Sequence, residues 1–142
     1  MEFKMPFKEK IAWIAVVTMT LVWGSYFGFM AATGGQLHGA VYMGGFIGAV
    51  IVQVILMVIA SIVTAALAPK DAGAGSDERD KEISRRAYAI AYPVLLSLIV
   101  CVAACLHLGF TARDMAYGIM AAIVIAEIVH YGAQIVGYRQ GR

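Results

Sequence analysis

The chain has 142 residues, 61% of them hydrophobic and 14% charged, with a formal net charge of +2. A soluble domain carries about 25% charged residues, so this composition excludes an ordinary soluble globular protein. Four apolar runs, residues 11–33, 40–68, 87–109 and 115–138, are each long enough for a helix to cross a hydrocarbon core of about 30 Å; the sequence therefore predicts one all-α membrane domain over residues 1–142.

Residues 1–10, MEFKMPFKEK, read as a short amphipathic lead, with Phe3, Met5 and Phe7 in the membrane interface beside the lysines. The first run exceeds the roughly 7–15 apolar residues of a signal peptide, so it is expected to be a retained span. Trp13 falls near its inner boundary, and Trp23, Tyr26 and Phe29 fall in its outer half, where aromatic belts form. Gly24 and Gly28 give a GxxxG spacing that lets another helix approach closely. The stretch TGGQLHG, Thr33 to Gly39, predicts a tight external turn, because consecutive glycines end a helix and free the backbone to reverse.

The second run repeats the small-residue device with Gly44 and Gly48, and again with Gly45 and Ala49. Gln53, near its midpoint, needs a polar partner in hydrocarbon. Pro69 is expected to end this span, because it lacks an amide hydrogen and disfavours helix in the residue before it. Lys70 to Gly75 then reads as a flexible turn.

Between the second and third runs, Pro69 to Tyr92 gathers five of the eleven Lys and Arg residues and five of the nine acids. Asp77 is placed as an N-cap, with Glu78 and Asp80 where the helix dipole favours acids. Glu82 meets Arg85 and Arg86 at i+3 and i+4, and Asp77 meets Lys81 at i+4. The third helix is thus expected to start two to three turns before the membrane and to extend as a charged cytoplasmic projection. Pro93 should bend it near the inner leaflet, and Tyr88 and Tyr92 fit an aromatic belt there. Cys101 and Cys105 lack the CxxC spacing of a redox or zinc motif and read as small packing residues. FTARD, Phe110 to Asp114, is the second external turn.

Ten of the eleven Lys and Arg residues lie in the amino-terminal tail, the central stretch or the carboxyl terminus; the exception is Arg113. Four spans put those three regions on one face, and the positive-inside rule places that face in the cytoplasm. The expected architecture is two antiparallel hairpins packed as a four-helix bundle in a prokaryotic cytoplasmic (inner) membrane, with both termini cytoplasmic.

The central stretch carries a DER-x-x-x-I-x-x-x-A pattern, formed by Asp77, Glu78, Arg79, Ile83 and Ala87. With four spans and a chain of this size, it resembles small prokaryotic membrane-protein families known only as domains of unknown function. Some of their members are encoded beside small transcription regulators. The resemblance covers about twenty residues plus topology and implies this same fold and a regulatory role.

Glu127 is the sharpest chemical candidate, since an ionised acid at a helix centre costs about 2.5–3.5 kcal/mol on insertion scales. His130, Tyr131, Gln134 and Tyr138 follow at i+3, i+4, i+7 and i+11, giving one polar stripe down the inner half of the fourth helix. Three uses are open: a proton or cation pathway through Glu127 and His130, a Glu-x-x-His metal pair, or a hydrogen-bonded anchor in which protonated Glu127 pairs with Gln53 or a threonine. His38 and His107 belong to the outer end, whereas His130 lies about 27 Å from Ala112 along the helix. No single intrachain site gathers all three. His38, His107 and Asp114 could meet at the outer surface, where scattered polar residues are ordinarily solvated.

No hydrolase triad, phosphate-binding glycine loop or zinc CxxC pair is present, and the basic residues of the central stretch are interleaved with as many acids, unlike a nucleic-acid surface. The expected protein is non-enzymatic, without cofactor or metal. Its role would be accessory or regulatory, presenting Asp77, Glu78, Arg79, Asp80, Arg85 and Arg86 to a cytoplasmic or membrane protein partner. The alternative is a small proton-coupled or cation transporter centred on Glu127, which at this size would require a homo-oligomer joined through Gly24, Gly28, Gly44 and Gly48.

Overall fold

A computed structural model describes residues 5–141; Phe3 and Lys4 of the expected amphipathic lead lie outside them. The described residues form helices and no strand: α1 (Phe7–Thr33), α2 (Gly39–Leu67), the one-turn α3 (Pro69–Gly73), α4 (Glu78–Cys105), a 3-10 turn (Leu106–Leu108) and α5 (Ala112–Gln140). Four of these helices are long and apolar enough to cross a bilayer, which makes the chain a multi-pass membrane protein. Their lateral surfaces agree: Val41, Ile47, Ile51, Val54, Ile55, Val58 and Ile62 of α2 are all exposed. So extensive an apolar surface is unfavourable in water and suits lipid.

Helix boundaries depart from the limits of the apolar runs, and at the starts of α4 and α5 they follow side-chain capping. α1 starts four residues ahead of the first run, so Phe7 to Lys10 belong to the helix instead of an interfacial lead, with Glu9 in its first turn. Residues 70–73, read as a flexible turn, continue as α3 with Pro69 in its first turn, where proline's fixed φ suits a helix start. Asp77 caps α4 by accepting from the Asp80 amide at 2.7 Å. α5 begins three residues before the expected span because Thr111 and Asp114 close a capping box, which satisfies two amide donors reciprocally. α4 runs unbroken through Pro93.

The chain divides into two compact units, Met1–Gly75 and Ser76–Arg142. In the first, α1 packs along α2, and the turn between them is held by Tyr42, which is 1% exposed. The Tyr42 hydroxyl lies 2.7 Å from Thr33 Oγ1 and accepts from the Leu37 amide, while its carbonyl accepts from the Tyr26 hydroxyl. Gly34 and Gly35 take positive φ of 57° and 74°, a conformation that glycine adopts without strain. Trp23 and Tyr26 are buried and pack against the half-buried Phe46, the Trp23 and Phe46 rings 5.5 Å apart. They form the core of this unit rather than the lipid-facing belt that their sequence positions suggested.

In the second unit α4 packs along α5. Ile83, Ala87 and Ala91 of α4 are buried, as are Ala122, Val124, Ala126, His130, Ile135 and Tyr138 of α5. Two glycines permit the approach: an added Cβ would stand 3.1 Å from Val102 at Gly118 and 2.9 Å from Ile83 at Gly137.

Candidate functional site

The polar stripe of α5 meets α4 at two levels. At the lower one, Tyr138 donates its hydroxyl to Asp80 Oδ1 at 2.9 Å, and Arg79 Nη2 donates to the Tyr138 carbonyl at 3.2 Å. These two bonds join the charged start of α4 to the last turn of α5, beside the Ile83 and Gly137 contact. About two turns above, His130 is 4% exposed and stacks on Tyr88, with ring centroids 4.0 Å apart and planes at 27°. Tyr131 adds a tilted contact at 5.1 Å.

Both ring nitrogens of His130 are addressed from its own helix. Nε2 lies 3.0 Å from the Gln134 amide nitrogen; with that amide donating, the ring hydrogen sits on Nδ1. Nδ1 faces Glu127 Oε2 at 3.7 Å, beyond hydrogen-bond distance, and has no hydrogen-bond partner. The Glu127 side chain is 44% exposed. Glu127, His130, Tyr131, Gln134 and Tyr138 therefore share one side of α5, as their spacing predicts, and Tyr88 covers His130. Among the described residues no three His, Cys, Asp or Glu side chains converge as a metal-binding group.

Gln53 belongs to the first unit and finds its partner there: its amide donates to Thr18 Oγ1 at 3.0 Å, and Thr18 in turn donates to the Ile14 carbonyl at 2.8 Å. Gln53 Oε1 is buried without a partner. Thr18 is the residue that sequence reading missed. Its hydroxyl is absorbed by its own helix, so only proximity reveals the second role.

The four glycines expected at helix contacts behave differently from Gly118 and Gly137. A Cβ added at Gly24, Gly28, Gly44 or Gly48 would meet nothing within 4 Å, whereas one at Gly45 would touch the Tyr26 ring at 3.4 Å. Cys101 is exposed and Cys105 half-buried, both as free thiols, so Cys101 is not a packing residue between α4 and α5. His38 accepts from the Ala40 amide as the cap of α2, and Asp114 is engaged by Thr111, which gives each a helix-capping role.

Along the start of α4, Lys81 pairs with Glu78 at 3.0 Å rather than with Asp77, because the Asp77 carboxylate faces the Asp80 amide. Glu82 accepts from Arg85 through two bonds, at 3.0 and 3.2 Å, and from Arg86 Nε at 2.6 Å. Glu82 precedes the apolar run, and hydrogen bonds from Arg85 and then Arg86 hold its carboxyl below the ordinary carboxylate range. The outer side of these turns is open: Glu78, Lys81, Arg85 and Arg86 side chains are 92, 61, 79 and 57% exposed. Exposed pairs of this kind are screened by solvent and contribute little, so they pattern a surface more than they stabilise it. Comparison with known proteins gives no match to a family model, a curated protein or a solved structure.

Proposed function

We propose that the chain is an integral component of a prokaryotic inner membrane with a non-enzymatic accessory or regulatory role, in which the first turns of α4 are the surface offered to a partner. The supporting observation is the double tie of Asp80 and Arg79 to Tyr138. It fixes residues 77–86 as a charged helix against α5 instead of a loose loop, with Glu78, Lys81, Arg85 and Arg86 turned outward. A preorganised surface loses less entropy on binding than a disordered one. In this reading the two helix pairs are antiparallel hairpins that close into a four-helix bundle, and both termini and the start of α4 face the cytoplasm. The likeness of Asp77, Glu78, Arg79, Ile83 and Ala87 to the pattern of small prokaryotic membrane families points the same way.

A photo-crosslinking side chain placed at Ser84 tests it in cells. The reading expects one specific protein adduct, lost when Glu78→Lys and Lys81→Glu reverse the outer charges and retained in Glu127→Gln. A transporter is the second reading, favoured by the approach of His130 Nδ1 to Glu127. It prevails if Glu127→Gln abolishes a measured flux while the charge reversal is silent. Gly24, Gly28, Gly44 and Gly48, open-sided as they are, would then supply the oligomer contact.

A further inference from the structure

Arg85 and Arg86 are the last charged residues before the apolar run that opens at Ala87. Both lean on one carboxylate, Glu82, which takes Nε and Nη2 of Arg85 and Nε of Arg86. One acid shared by two guanidiniums leaves a net charge of about +1 on the trio. It also fixes the inner edges of both forks while their outer edges stay exposed. Neither Nη group of Arg86 makes a hydrogen bond among the described residues, nor does Nη1 of Arg85. The next two turns of α4 carry Tyr88 and Tyr92, 58% and 62% exposed, the side chains that settle at headgroup depth.

We propose that Arg85 and Arg86, set in place by Glu82, bind the phosphodiester of an anionic phospholipid whose acyl chains run along α4 past Tyr88 and Tyr92. Guanidinium forks match phosphate oxygens two at a time, which a lysine ammonium does not. Charge selects the lipid class: a zwitterionic headgroup brings its own ammonium against two guanidiniums, and an anionic headgroup does not. Position selects a lipid over a soluble phosphate, because the open fork edges lie immediately ahead of apolar helix surface. The inference requires residues 85 and 86 at a membrane boundary and is independent of any protein partner.

The test uses the full chain reconstituted in vesicles of equal phosphatidylglycerol and phosphatidylcholine, released in mild detergent and weighed by native mass spectrometry. The wild-type protein should retain phosphatidylglycerol preferentially. Each guanidinium near an anionic surface is worth about a fivefold preference, so the Arg85→Gln, Arg86→Gln double variant should lose about 25-fold. Arg85→Lys with Arg86→Lys, which keeps charge and loses the forks, should fall between the two. Lys70→Gln, which removes an exposed cation elsewhere, should match wild type. Both arginines are solvent-facing, so helix content by circular dichroism should be unchanged throughout. Equal losses from Lys70→Gln and Arg86→Gln, full retention by the lysine pair, or displacement of the lipid by millimolar inorganic phosphate would each overturn the proposal.

Discussion

Gly137→Ala offers the most direct probe of how closely α4 and α5 pack. The new Cβ would stand 2.9 Å from Ile83 Cγ2 and 3.4 Å from Cγ1, so reaching ordinary contact requires a movement of about 0.5 Å (3.4 minus 2.9). Ile83 is 2% exposed and β-branched, so its χ1 has little freedom to yield. Overpacking of this kind costs about 1–3 kcal/mol, against a helix-propensity gain of up to about 1 kcal/mol for replacing glycine by alanine. Gly132→Ala, on the same helix, meets nothing within 4 Å and should receive the gain alone. Reversible unfolding in mixed micelles, followed by far-ultraviolet circular dichroism, should place Gly137→Ala about 1–3 kcal/mol below Gly132→Ala. Ile83→Ala should remove that difference in a double-mutant cycle, even though it is itself destabilising. Equal stabilities for the two alanine variants, or a Gly137→Ala penalty that persists in Ile83→Ala, would refute the contact.

Tyr138→Phe deletes a hydrogen bond to a carboxylate and should cost about 1.5–3 kcal/mol, with faster amide exchange in residues 78–82 as the local readout. Thr18→Val should destabilise by about 1 kcal/mol by leaving the Gln53 amide unpaired, whereas Gln53→Leu, which also removes the unpartnered Oε1, should be nearly neutral; a larger loss from Gln53→Leu would contradict that pairing. Because the Glu82 carboxyl is held below its unfolded value of 4.5, its stabilisation of the first turns of α4 is fully present above that value. It is lost as the pH falls through the lower folded value. Protection of residues 79–86, corrected for intrinsic exchange, should drop on acidification in wild type and hardly change in Glu82→Gln.

The spans were legible because apolar length in lipid is nearly sufficient to specify a helix, and the start of α4 because Asp77 is a strong cap. Partner choice was not legible. Gly44 and Gly45 both sit in small-xxx-small spacings, yet within the first unit Gly45 meets the Tyr26 ring and Gly44 meets no described side chain, since the pattern looks the same whether it faces a helix or lipid. Gly137 stands in such spacings too, with Ala133 and Gly141, but its contact comes from Ile83, far away in sequence. Trp23 and Tyr26 were misread for a related reason. Their depth fits an interfacial belt, but Phe46 and the Tyr42 carbonyl stand on the inner side and draw both rings into the first unit. The stripe from Glu127 to Tyr138 was visible as a helical period, while its covering ring, Tyr88, was not, because an aromatic at that depth has a sufficient explanation in the interface alone.

Sidedness carries the functional reading, and cysteine labelling measures it. On a background of Cys101→Ala and Cys105→Ala, Ala74→Cys and Gln36→Cys are each challenged with an impermeant maleimide in intact cells and in inverted vesicles. The account predicts that position 74 reacts only in inverted vesicles and position 36 only in intact cells. Labelling of position 74 from outside the cell would contradict it.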